Sequence, residues 1–151
     1  MSHKLYKQNI LKSSYYIKSD VSTQDISSSA SIYISGSEVT YTPHESSKNI
    51  IYEYYFQYKN DPDNNNQFSA ELHEDSGSGF ASMGINYRIN EVTYGTQFEN
   101  YVCIKFVLPS YSGSRSYKLR ATGRSHADEC TLHVDEGGNT YYPIVLIYDV
   151  L

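Results

Sequence analysis

The sequence predicts an all-β sandwich, and three observations carry that expectation. Apolar and polar residues alternate with a period of two through many short stretches. Gly, Ser, Asn and Pro turns separate those stretches, and no segment has the three-to-four-residue apolar spacing of an amphipathic helix.

Residues 1–12 carry little pattern, and Ser13 to Ser37 is Ser-rich with short extended pieces at Tyr15–Lys18 and Ser31–Ser35. The expected division is an N-terminal arm or attachment segment over residues 1–22 and a sandwich domain over residues 23–151. Val39–Tyr41 and Ile50–Lys59 are strands separated by a polar turn. In the second of these, Ile50, Tyr52, Tyr54, Phe56 and Tyr58 share one face, while Ile51, Glu53, Tyr55, Gln57 and Lys59 share the other. A wholly apolar face beside a mixed one predicts a central strand, packed on a core and meeting water or a neighbouring chain on its far side.

Asn60–Asn66 is a cluster of turn formers, and Phe68, Ala70 and Leu72 then alternate with Ser69, Glu71 and His73. After the Glu74–Gly79 turn, Phe80–Ile89 reads as a strand of mixed quality. Tyr101–Leu108 is a strong strand stopped by Pro109, because proline removes a ladder donor. Ser116–Ala121 places Tyr117, Leu119 and Ala121 inward and Lys118 and Arg120 outward; Cys130–Val134 repeats the pattern. Tyr141–Val150 closes the chain with apolar residues on both faces, so both require cover. Among sandwiches this grammar predicts a jelly roll of about eight to ten antiparallel strands.

A chain of 151 residues is the size of one domain. Its 17 Tyr against 5 Phe and no Trp supply aromatic bulk with a polar tip, suited to half-buried strands or to a contact surface. The net charge of −5 lacks the basic footprint of a nucleic-acid binder. There is no secretory pattern in the first residues, no apolar run long enough to span a bilayer and no glycosylation sequon, which predicts synthesis in a cytosol and no membrane partner. Cys103 and Cys130 lack metal or disulfide spacing and are expected as buried free thiols.

No motif of nucleophilic, phosphate-binding or metalloprotease chemistry occurs, so neither catalysis nor a cofactor is expected. His73 to Asp75 and His126 to Glu129 place imidazole near carboxylates, but a triad is defined by geometry that adjacent positions rarely satisfy. Asp61, Asp63 and Asn65 present oxygens at the spacing that opens a calcium loop. Asn66 stands where that loop needs Gly and Leu72 where it needs Glu, so a polar hairpin loop competes with a weak cation site. Arg115, Lys118, Arg120 and Arg124, with His126, form the one local concentration of positive charge. A solvated strand face explains it; the functional alternative is an acidic or sulfated glycan held by Arg115, Lys118 and Arg120, with Tyr111 and Tyr117 stacking on sugar rings.

Three segments, in order, resemble a family of small β-domains from fibre and structural proteins of phages and large viruses, particularly those of aquatic hosts. They are Val39–Ile51, similar to the family's "ITP…SSSKILI" join; Gly113–Ala121, similar to its "TYKV" strand after a Ser/Thr/Gly turn; and Ile144–Val150, similar to its terminal "LxxxEI" strand. Asp149 stands where the family usually has Glu, and the tyrosine content is higher. The resemblance extends to trimeric jelly rolls of the tumour-necrosis-factor and complement C1q type. It implies a homotrimer with aromatic and aliphatic side chains meeting along the axis, for which Tyr52, Tyr54, Phe56, Ile144, Leu146 and Tyr148 are candidates.

The expected function is a non-enzymatic virion structural protein, displayed as a spike or fibre module, attached to other virion proteins by its N-terminal segment and able to contact host polysaccharide. Its ligand-facing loops would be Asn60–Gln67, Asp75–Gly79 and Pro109–Arg115. Alternatives are a capsid or baseplate decoration protein that binds no receptor, and a carbohydrate-binding module or glycan-active enzyme. An enzyme of the last kind needs two carboxylates across one cleft.

Overall fold

The computed structural model describes residues 10–27, 31–59, 66–91, 99–123, 130–134 and 139–151. Among these residues there are eleven strands: β1 (Ile10–Ile17), β2 (Gln24–Ile26), β3 (Ser31–Tyr33), β4 (Val39–Tyr41), β5 (Asn49–Lys59), β6 (Asn66–Asp75), β7 (Ala81–Glu91), β8 (Glu99–Pro109), β9 (Arg115–Gly123), β10 (Cys130–Leu132) and β11 (Ile144–Val150). They form two antiparallel sheets, a sandwich of six and five strands. Sheet A runs β1-β11-β5, with β8 on the other side of β5, and with β10 and then β2 beside the last residues of β5 on the same side as β11. In sheet B, β3 and β4 both pair with one side of β9, followed by β6 and then β7.

Strand β5 is central, as its alternation predicts. It pairs with β8 along its whole length, with β11 over Asn49–Tyr55 and with β10 at Tyr58 and Lys59. Ile50, Tyr52, Tyr54, Phe56 and Tyr58 point between the sheets. There they meet Ile104, Phe106 and Leu108 of β8, Val145 and Ile147 of β11, and Phe68, Leu72, Tyr117 and Leu119 of sheet B. This one core forms because each strand has an apolar parity to bury, and each large side chain buried contributes roughly 1.5–3 kcal/mol.

Three sequence expectations are corrected by this packing. Tyr52, Tyr54 and Phe56 are fully buried between the two sheets of their own chain, so they are core residues and cannot meet neighbouring chains. An unbroken aromatic parity marks the inner face of a sheet, and the chain's own second sheet covers it. Cys103 is exposed on the outer face of β8, while Cys130 is buried. Residues 10–17 of the expected arm are strand β1, hydrogen-bonded along β11 from Ile10–Val150 to Ile17–Ile144, so sheet A already contains them.

The first and third family-like segments are joined in space. The buried Asp149 carboxylate accepts the His44 amide of the β4–β5 loop. Lys48 N donates to Val150 O at 2.9 Å, and Ser110 N donates to Lys48 O at 3.1 Å. The acid at position 149 therefore holds the polar turn of the first segment against the last strand.

The bend between β3 and β4 is fixed from inside. Ser37 Oγ donates to Ile34 O at 2.6 Å and accepts Leu119 N at 3.0 Å, while Gly36 takes φ +75°. A Cβ at Gly36 would stand 2.5 Å from Val21 Cγ1 and 2.9 Å from Pro143 Cγ, so both the backbone angle and the space require glycine.

Candidate functional site

The outer face of sheet A is built by the parity that the core does not use. Cross-strand register aligns Tyr15, Leu146, Glu53 and Lys105 in one row, and Ile17, Ile144, Tyr55 and Cys103 in the next. Tyr148, Ile51 and Val107 form a third row. Tyr15 (58%), Ile17 (60%), Tyr101 (53%) and Val107 (59%) are exposed, a concentration of large apolar side chains on one face. At one end the face deepens into a cleft of about 330 Å³ lined by Ile17, Tyr101, Thr140, Tyr141, Tyr142 and Ile144. Tyr101 and Tyr141 meet edge to face there, with ring centroids 5.4 Å apart.

A polar island stands in the middle of this face. Glu53 is only 7% exposed, and its carboxylate accepts the Tyr55 hydroxyl at 2.7 Å, the Lys105 ammonium at 2.9 Å and the Tyr148 hydroxyl at 3.0 Å. Burial raises its pKa, but the hydrogen bonds from Tyr55, Lys105 and Tyr148 outweigh burial and hold the carboxyl below its ordinary value. Its bond to Glu53 raises Lys105, and the separate bond to the other carboxylate oxygen raises Tyr55. Glu53 therefore stays ionised and satisfied while apolar side chains surround it, which leaves this part of the face ready to be covered without stranding a charge.

The outer face of sheet B differs. Lys118 Nζ lies 4.0 Å from the centre of the Tyr33 ring and 3.7 Å from that of Phe80, with Glu38 at 3.7 Å. Arg120 lies beside the same Tyr33 ring at 5.8 Å. Tyr33 Oη contacts His73 Nδ1 at 3.3 Å, His73 Nε2 contacts Glu71 at 3.3 Å, and the Ser82 hydroxyl donates to the other oxygen of Glu71. The Ser82 bond is the largest of several that hold the Glu71 carboxyl below its ordinary value. Glu71 stands between the Ser82 hydroxyl and the His73 imidazole, so Ser82 and His73 are not placed as a nucleophile and its base.

The five residues expected to hold a glycan are divided among three places. Lys118 and Arg120 lie on the outer face of sheet B. Arg115 has the opposite parity and sits at the sandwich rim, where it donates to Glu74 at 2.8 Å and covers the Tyr111 ring at 4.3 Å. Tyr117 is fully buried in the core and cannot stack on a sugar, which corrects its assignment. The basic run is also neutralised locally, since Arg115 faces Glu74 and Lys118 faces Glu38. Arg124 and His126, with the calcium-loop candidates Asp61, Asp63 and Asn65, lie outside the described residues. Among the described residues, no three His, Cys, Asp or Glu side chains cluster as a metal site would require.

Of the expected interface set, Ile144 and Leu146 are half-buried on the outer face of sheet A, and Tyr148 is held there beneath Lys105. Sequence reasoning missed Tyr15, Ile17, Tyr101 and Val107. Their signal was present as apolar residues on both parities of their strands, but only the register brings them to one surface.

No protein-family model and no curated protein matches the chain. A solved structure of infectious bursal disease virus, Gx strain, is similar at 14% identity with a TM-score of 0.43, over 92% of this chain and 38% of the other. The chain thus spans well under half the length of that structure's chain.

Proposed function

We propose that this chain is a non-enzymatic structural module of a virus or phage particle, a jelly roll that assembles with copies of itself through the outer face of sheet A and presents sheet B outward. One observation carries the assembly reading: sheet A exposes Tyr15, Ile17, Tyr101 and Val107 on the side that its own core leaves uncovered. The strand order supports the jelly-roll reading, because β1-β11-β5-β8 faces β4-β9-β6-β7 and first and last strands lie side by side. The virion setting and a threefold stoichiometry rest on the resemblance of Val39–Ile51, Gly113–Ala121 and Ile144–Val150. Host glycan, where the particle engages it, would meet Lys118, Arg120 and Tyr33 on sheet B or Tyr111 and Arg115 at the rim.

Light scattering at several concentrations tests the assembly. A mass that is a whole multiple of three chains is expected, and Ile17→Asp, at a side chain 60% exposed, should lower it while the fold is retained. A mass that Ile17→Asp leaves unchanged, or a parent chain that is monomeric throughout, would overturn it.

A further inference from the structure

A sandwich has edges as well as faces, and this one treats its edges unequally. At the β1 edge of sheet A the register slips between Ile10 and Lys12, and Lys12 is turned to Thr42 O at 2.7 Å. The β7 edge of sheet B is bulged: Glu71 pairs with Asn86 but His73 with Ser82, with Gly84 at φ +70° in the extra turn. The remaining edge of sheet B is broken into β3 and β4, each of three residues. Interruptions of these kinds prevent strands of other molecules from adding on.

Strand β8 has none of them. It pairs with β5 through eleven consecutive residues without a register shift, and among the described residues no strand lies on its other side. Proline enters only at its last position, 109. Its one lysine, Lys105, is drawn onto the sheet face by Glu53 at 2.9 Å. A long edge of unbroken register, with no second partner among the described residues, offers a ladder of main-chain donors and acceptors that another β-strand completes.

We propose that the occupant of this edge is β8 of a second copy, paired antiparallel about a two-fold axis at Ile104. Opposed residues in an antiparallel pair share a face, so the axis must fall on a residue rather than between two. Placing it at Ile104 overlaps the full strand, Glu99 to Pro109. Tyr101 then stands opposite Val107 of the partner subunit, and Cys103 opposite Lys105 of the partner subunit. Val102 and Phe106 face one another across the inner side. An axis at Lys105 would oppose two ammonium groups, whereas the Ile104 register opposes none and pairs aromatic with β-branched side chains. The contact extends sheet A sideways through main-chain pairing; its Tyr101 and Val107 side chains also belong to the face proposed above, so the edge is tested where Ile17→Asp has removed the face contact.

Cysteine cross-linking tests the register. In a Cys103→Ser background, Tyr101→Cys combined with Val107→Cys should give a covalent two-chain species on mild oxidation, because opposed residues lie within disulfide reach. Either cysteine alone should give little. The cross-link should persist with Ile17→Asp added, which separates edge pairing from face assembly. Tyr101→Lys with Val107→Lys, both at exposed positions, should retain the melting transition and abolish the pairing seen by light scattering in the Ile17→Asp background. Absence of the two-chain species when both thiols label fully, or equal cross-linking by the single-cysteine variants, would overturn the proposal.

Discussion

The Tyr52 hydroxyl donates to the Ser37 carbonyl at 2.6 Å across the interior of the sandwich, and Tyr54 does the same to Ser35 at 2.8 Å. Two rings of β5 thus fill the core while their tips tie down the bend between β3 and β4. This gives the tyrosine-rich composition a structural purpose, since phenylalanine would fill the same volume and leave the carbonyls unanswered. Tyr52→Phe should cost about 1–2 kcal/mol in urea unfolding, without a change in assembly.

His133 is fully buried at φ +61°, and burial pushes its pKa down to about 4. The unfolded imidazole takes up its proton near pH 6.5, so between that pH and about 4 the unfolded state holds more protons. The stability associated with neutral His133 is full above pH 6.5 and declines as pH falls toward 4, by up to about 3 kcal/mol. Urea midpoints across this range should show the decline, and His133→Asn, which tolerates a positive φ, should flatten it.

Glu53 acts lower on the pH scale. Its folded carboxyl lies below the unfolded value, so its contribution is present above the ordinary carboxylate range and is lost as pH falls through the folded pKa. Glu53→Gln removes the charge that Lys105, Tyr55 and Tyr148 converge on. Unfolding at neutral pH should show a loss of about 1–3 kcal/mol, with a weaker acid dependence than the parent.

The bond from His44 N to Asp149 fastens the β4–β5 loop to the last strand. Asp149→Ala should speed hydrogen exchange at the His44 amide and cost about 1–3 kcal/mol, the range for leaving a buried donor without its partner. Peptide-level exchange over residues 42–48, compared between parent and variant, reads the difference.

Gly36→Ala should destabilise by about 1–3 kcal/mol, because the added carbon meets Val21 and Pro143 in a backbone conformation that alanine resists. A lowered melting temperature with an unchanged circular dichroism spectrum is the expected readout.

Much of the fold was legible because period-two alternation is local. Ile50–Lys59 revealed its inner and outer faces, its central place and its length from its own residues. What alternation cannot identify is the body that covers a face, and so Tyr52, Tyr54 and Phe56 read equally well as core or as interface until the second sheet is in place. The candidate assembly face was harder still. Tyr15, Ile17, Tyr101 and Val107 come from two strands far apart in the chain, and their meeting depends on β11 and β5 lying between β1 and β8. Arg115 illustrates the opposite error: nearness in sequence to Lys118 and Arg120 suggested one basic site, but its parity sends it to the rim and to Glu74.

The pairing of Ile10 with Val150 also sets the order of events in folding. Strand β1 leaves the ribosome long before its hydrogen-bonding neighbour β11 exists, and β5 waits for the same strand to complete one side. Ladder formation in sheet A must therefore close loops of great length, a topology associated with folding on millisecond-to-second timescales. During synthesis β1 and the flank of β5 stay open until the final strand arrives, which makes that interval the period in which the chain is most exposed to mispairing.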